Sequence, residues 1–86
     1  NTTQQLEAFK SYMNYRRYSK NTIKTYSDAL QIFFKFNATE NLEQLTIEHL
    51  IKFNNEHILK NNYSASYQNQ VINAIKLFYR NRFKKY

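Results

Sequence analysis

The sequence has no glycine, no proline, no cysteine and no tryptophan. Without cysteine there is no disulfide framework, no thiolate metal site and no thiol nucleophile, and the chain suits a reducing cytosol. Without glycine there is no Gly-rich phosphate loop, and turns that need a positive φ become scarce. Without proline no helix loses a backbone N–H along its length. Asparagine is left as the turn and C-cap former, because it tolerates the left-handed region better than other residues bearing a Cβ. No apolar run approaches the ~20 residues of a membrane span, and no signal-peptide pattern opens the chain.

What is present is rings and positive charge. Phe and Tyr make up 17% of the 86 residues, and 13 Lys and Arg against 6 Asp and Glu give a formal charge of +7. A domain of this length buries only ~60–65% of its unfolded surface, so large rings are an efficient way to fill its core. The charge favours a polyanionic partner, although a basic surface also serves solubility.

The run Tyr18–Phe36 organises the rest. Ser19 is a good N-cap, and Ile23, Tyr26, Leu30, Phe33 and Phe34 recur at three- and four-residue steps on one side of a helix. Lys20, Lys24, Asp28, Gln31 and Lys35 fall on the other side. Before it, a helix is expected from about Thr3 to Arg17, capped by Thr2 or Thr3, with Leu6, Phe9 and Met13 as its stripe. Arg16 and Arg17 near its end suit the helix dipole. A third helix, capped by Thr46, is expected to run to about Lys60 on Ile47, Leu50, Ile51 and Ile58, with Phe53 at the margin. Ser64 or Ser66 opens a fourth, carrying Val71, Ile72, Ile75, Phe78 and Tyr79, with Phe83 near its end. The expectation is an all-α, compact four-helix bundle in which each short amphipathic helix depends on the others. Its core includes Phe33 and Ile72.

Catalytic constellations are thin. His49 and His57 stand eight apart on one expected helix, about 12 Å of rise, too far to share a metal. The six acids are scattered, and none of the tyrosines has an evident His or Arg cluster beside it. No cofactor, metal or small-molecule substrate is expected, and the chain by itself is not expected to be an enzyme. The binding signal is stronger. The second helix opens on Ser19, Lys20, Asn21, Thr22, Lys24 and Thr25, and the fourth on Ser64, Ser66, Tyr67, Gln68, Asn69, Gln70 and Asn73. Hydroxyls, amides and free N–H groups at helix starts bond phosphates, and Asn and Gln can read adenine through two bonds at once. Capping and solubility account for the same residues.

Ser19, Thr22, Tyr26, Leu30 and Phe33 resemble the S-x-x-T-x-x-x-Y-x-x-x-L-x-x-F segment of the core-binding domain of phage integrases and Xer-like tyrosine recombinases. Tyr63–Tyr79 is similar to that domain's last helix, S-x-x-T-x-x-x-x-x-x-A-L-x-x-F-F/Y, and Leu45–Phe53 to its third, l-T-x-x-x-l-x-x-f. Three such motifs in order cover nearly the whole chain. The resemblance implies a SAM-like amino-terminal domain, the first half of a C-shaped clamp on a recombination half-site, with its second and fourth helices toward the major groove of double-stranded DNA. Carried over, Lys20, Thr22, Lys24 and Thr25 face DNA from the second helix, and Ser66, Tyr67, Gln70 and Asn73 from the fourth. Tyr67 stands where the family usually has Thr, so a ring replaces a small hydroxyl. The resemblance further implies a cytoplasmic parent of bacterial or phage origin, homotetrameric on DNA. Its Arg/Lys/His/Arg set and nucleophilic Tyr lie in a carboxy-terminal catalytic domain absent from residues 1–86. The abrupt ends look cut, and Lys84-Lys85-Tyr86 would lie where the linker begins. Two alternatives remain open: a basic helical protein-interaction module without sequence-specific DNA binding, and an RNA-binding helical domain. The second is less favoured because no single-strand stacking platform is recognisable.

Overall fold

In a computed structural model of the chain, which describes residues 2–39 and 41–84, two serines with nearly the same backbone geometry open the two longest helices. Ser19 (φ −63°, ψ 155°) and Ser64 (φ −65°, ψ 157°) are both extended. Each Oγ accepts the backbone N–H three residues on, from Thr22 and Tyr67, at 3.1 Å. The elements are α1 (Thr2–Tyr15), α2 (Lys20–Phe36), a 3₁₀ turn (Leu42–Gln44), α3 (Ile47–Phe53) running into a π-helical segment (Asn54–Leu59), and α4 (Ala65–Phe83). No strand occurs among the described residues, as the all-α expectation required.

A cluster of six rings runs through the core. Phe78 of α4 meets Phe9 of α1 edge-on at 5.3 Å and Phe34 of α2 at the same centroid distance. Phe33 of α2 meets Phe53 of α3 at 5.1 Å and 82°. Leu6, Met13, Leu30, Leu50, Ile58, Val71 and Ile75 fill the space between them. Edge-to-face pairs of this kind contribute ~0.5–1.5 kcal/mol beyond the area they bury. Tyr79 is buried too, and its hydroxyl donates to the Leu42 carbonyl at 2.7 Å, tying the 3₁₀ turn to α4.

The third helix differs most from the expected pattern. A continuous α-helix would carry Ile47, Ile51 and Ile58 on one face, but Ile47 is 45% and Ile51 53% exposed. Phe53, expected at the margin, is 1% exposed. The cause is the switch to i→i+5 winding after Phe53, which brings residues five apart onto the same face. Leu50, Phe53 and Ile58 then share the buried side, and Ile47 and Ile51 turn outward. His49 occupies the third helical position, where a capping box usually has Glu or Gln. Its Nδ1 accepts the Thr46 N–H at 3.0 Å.

Smaller corrections concern helix ends and one core residue. The first helix stops at Tyr15 rather than Arg17, and Thr2 and Thr3 are already helical, so its cap position falls at residue 1, outside the described residues. Lys10 pairs with Glu7 at 3.2 Å, whereas Arg16 and Arg17 lie beyond the last turn. Asn62 takes the left-handed conformation as expected (φ 58°), but so do Arg17 (φ 63°) and Lys84 (φ 55°), with no glycine available to relieve them. Lys85 and Tyr86 lie outside the described residues. Ile72 is only half-buried against the core, while its neighbour Ile75 is fully buried.

Burial therefore ranks the cost of truncation. Phe33→Ala and Phe78→Ala should each destabilise by ~3–5 kcal/mol, and Ile75→Ala by ~2–5 kcal/mol, with Ile72→Ala well below Ile75→Ala. Urea unfolding of the four variants checks this order. Ser19→Ala, which removes a cap bond and no core contact, should cost ~1 kcal/mol and lower Tm by ~4–8 °C in a domain of this size.

Candidate nucleic-acid interface

α2 packs along α4, and Ala29 on α2 and Ala74 on α4 are both buried. Two adjoining clefts open in a strip between the two helices.

The first cleft, about 180 Å³, is lined by Asn21, Thr22, Thr25 and Tyr26 from α2 and by Gln70 from α4. The Thr22 hydroxyl oxygen accepts the Ser19 O–H at 2.9 Å, which leaves its own hydrogen free to donate. One helical turn further along α4, Asn73, Lys76, Leu77 and Arg80 face Tyr18 and Tyr26 across the second cleft, about 230 Å³. The Tyr18 and Tyr26 rings meet edge-on at 6.4 Å. Burial first, and the neighbouring Tyr18 second, raise the Tyr26 phenol above its ordinary value, so it remains an O–H donor. Chemically this strip offers hydroxyl, phenol and amide groups with cations along one side, a donor-rich surface suited to oxyanions and base edges.

The residues singled out from the sequence are distributed unevenly over this strip. Thr22, Thr25 and Gln70 share the first cleft, and Asn73 lines the second. Lys20 and Lys24 are exposed on α2, where the Lys24 ammonium sits 2.9 Å from an Asp28 carboxylate oxygen. An exposed i,i+4 pair of this kind contributes only ~0.3–0.5 kcal/mol. Ser66 is exposed in the first turn of α4 and lines neither cleft. Tyr67 is half-buried, its ring 4.7 Å from that of Tyr63, and it too lies outside both clefts. Its phenol is raised by burial, then by Tyr63 and by Asp28.

Sequence reasoning passed over Tyr18, Tyr26, Lys76 and Arg80. The signal was available: Gln70, Asn73, Leu77 and Arg80 follow three- and four-residue steps along α4, with Lys76 beside them, continuing the face that Gln70 begins. Elsewhere the histidines have structural surroundings. His57 stacks on Phe53 at 5.0 Å, and no group of three His, Cys, Asp or Glu capable of holding a metal occurs among the described residues. No helix among them is long and apolar enough to cross a membrane.

Comparison with curated proteins gave no match, and comparison with solved structures gave none either. A family profile, described as phage integrase, N-terminal SAM-like domain, matches residues 6–85, almost the entire chain. With four α-helices among the described residues packed around a core that includes six rings, the chain belongs to the family of N-terminal SAM-like domains of phage integrases.

Proposed function

We propose that this domain binds double-stranded DNA through the exposed strip between α2 and α4, as the amino-terminal half of a tyrosine recombinase that grips a recombination half-site. The family supports a recombinase parent and a DNA partner. The observation that carries the interface is the shared cleft: Thr22 and Thr25 from one helix and Gln70 from another converge on one exposed strip. Lys20 and Lys24 contact backbone phosphates. Thr22, Thr25 and Ser66 donate hydroxyls to phosphate or sugar, Tyr67 adds a phenol, and Gln70 and Asn73 reach base edges. Strand cleavage and rejoining belong to a separate catalytic domain, and the parent acts as a homotetramer on DNA.

Asp28 supplies the negative element of this surface. Its carboxylate neutralises Lys24 in the free protein and repels a phosphate that comes near. Since the pair is exposed and weak, Lys24 can exchange Asp28 for a phosphate at little cost.

Fluorescence anisotropy with labelled duplex DNA tests the reading. Neutralising about four phosphates gives a slope of log Kobs against log[salt] near −3.6. Lys24→Ala should weaken binding to every duplex and flatten that slope by about one unit, while Asp28→Asn should tighten it. Gln70→Ala should leave the slope unchanged and relax preference at one position by ~1–3 kcal/mol in selection from random duplexes. Binding that is weak, without site preference and indifferent to salt would leave the basic protein-interaction module in its place.

A further inference from the structure

The second cleft is chemically distinct from the first. Its walls carry two cations one helical turn apart on α4, Lys76 and Arg80, both exposed. Neither forms an ion pair or a side-chain hydrogen bond among the described residues, in contrast to Lys10 with Glu7, Lys24 with Asp28, and Arg82, whose Nε donates to Gln5 at 2.8 Å. Among the described residues no carboxylate lines the cleft. Opposite the cations stand the Tyr18 and Tyr26 phenols, and Asn73 closes one side. Two cations unpaired among the described residues, with neutral donors facing them and no described acid in the lining, form a surface for an extended anion.

We propose that the Lys76–Arg80 cleft holds two adjacent backbone phosphates of the bound duplex, and so fixes the register in which Gln70 meets the bases. The inference rests on the duplex-binding reading and adds to it the contact that positions the reading residue. Spacing supports it. Residues four apart on a helix have Cβ atoms about 5–6 Å apart, a stride that suits successive phosphates of one strand. Gln70 and Arg80 are ten residues apart, about 15 Å along α4. The major groove is about 12 Å wide, so a helix with Gln70 over the groove floor carries Arg80 to the phosphate rim. The guanidinium can engage a phosphate through two N–H donors and the Lys76 ammonium the next as a point charge. Tyr26 and Asn73 then donate from the facing wall. The two lysines of α2 and these two cations account for the four phosphates of the expected slope.

The test is the salt dependence of the 86-residue chain on labelled duplexes of two unrelated sequences, with thermal melts to establish that each variant is folded. For Lys76→Ala/Arg80→Ala the slope should flatten by about 1.8, from near −3.6 to near −1.8, by the same amount on both duplexes. Equivalently, the affinity gap to the unsubstituted chain should shrink about 12-fold between ~50 and ~200 mM salt. The control Lys52→Ala/Lys60→Ala removes two exposed cations that line neither cleft and should leave the slope in place. If that control flattens the slope equally, only net charge is at work and the cleft assignment is overturned. If Lys76→Ala/Arg80→Ala keeps its affinity and slope while Lys24→Ala loses both, the cleft holds no phosphate and the α2 contacts stand. If the unsubstituted chain shows no salt-dependent binding to either duplex, the duplex reading fails and this inference falls with it.

Discussion

The burial of Phe78 is the constraint on which the rest of the structure depends. Its ring touches Phe9 and Phe34 while lying in the same helix as the buried Val71, Ala74, Ile75 and Tyr79. A single side chain thus fixes the separation of α1, α2 and α4, and the exposed strip between α2 and α4 takes its width from that separation. In so short a chain there is little redundancy, since net stability is a small difference between large opposing terms. Ring-on-ring packing meets this need because each aromatic removes much surface from water at the cost of few rotatable bonds. The exposed strip is backed by the core: Tyr26 packs against it and also lines both clefts.

Most of this was legible in the sequence where periodicity was unbroken. The stripe of α2, the cap at Ser19, and the burial of Leu6, Phe9, Met13, Phe33 and Phe78 follow from three- and four-residue spacing and from the local chemistry of serine, while of the two serines offered for the fourth helix Ser64 is the cap. The third helix was not legible in the same way. A register that assumes 3.6 residues per turn selects Ile47 and Ile51, and only the switch to i→i+5 winding makes Phe53 and Ile58 the buried pair. Nothing in the composition of Asn54–Leu59 announces that switch. It is held by tertiary contacts, among them the Gln68 Nε2 donating to Asn54 Oδ1 at 2.8 Å across from α4.

The candidate site was legible by residue type and less so by arrangement. Polar helix starts pointed to α2 and α4, and Thr22, Thr25 and Gln70 do meet in one cleft. The sequence could not show that the meeting occurs beyond the first turn of α4, or that Tyr67 leans toward Tyr63 and away from the clefts. The pairing of Lys24 with Asp28 was readable from their four-residue spacing, whereas the placing of Lys76 and Arg80 opposite Tyr18 and Tyr26 was not. Charge counted along the chain overstates what is available at the surface, and the engaged and unengaged lysines differ in what they can offer a polyanion.

The left-handed corners at Arg17, Asn62 and Lys84 have a consequence for the denatured ensemble. Each sets a residue with a Cβ in a region most side chains avoid, at a cost of order 1 kcal/mol or more to the native state. A chain without glycine also has fewer backbone conformations to surrender on folding, since every residue is already confined by its own side chain. The two effects oppose each other and are spread differently: the strain sits at three corners, whereas the entropic saving accrues along the entire polypeptide. Local discomfort at the reversals is thereby offset by a stiffer starting state, which helps a domain without disulfide crosslinks to fold.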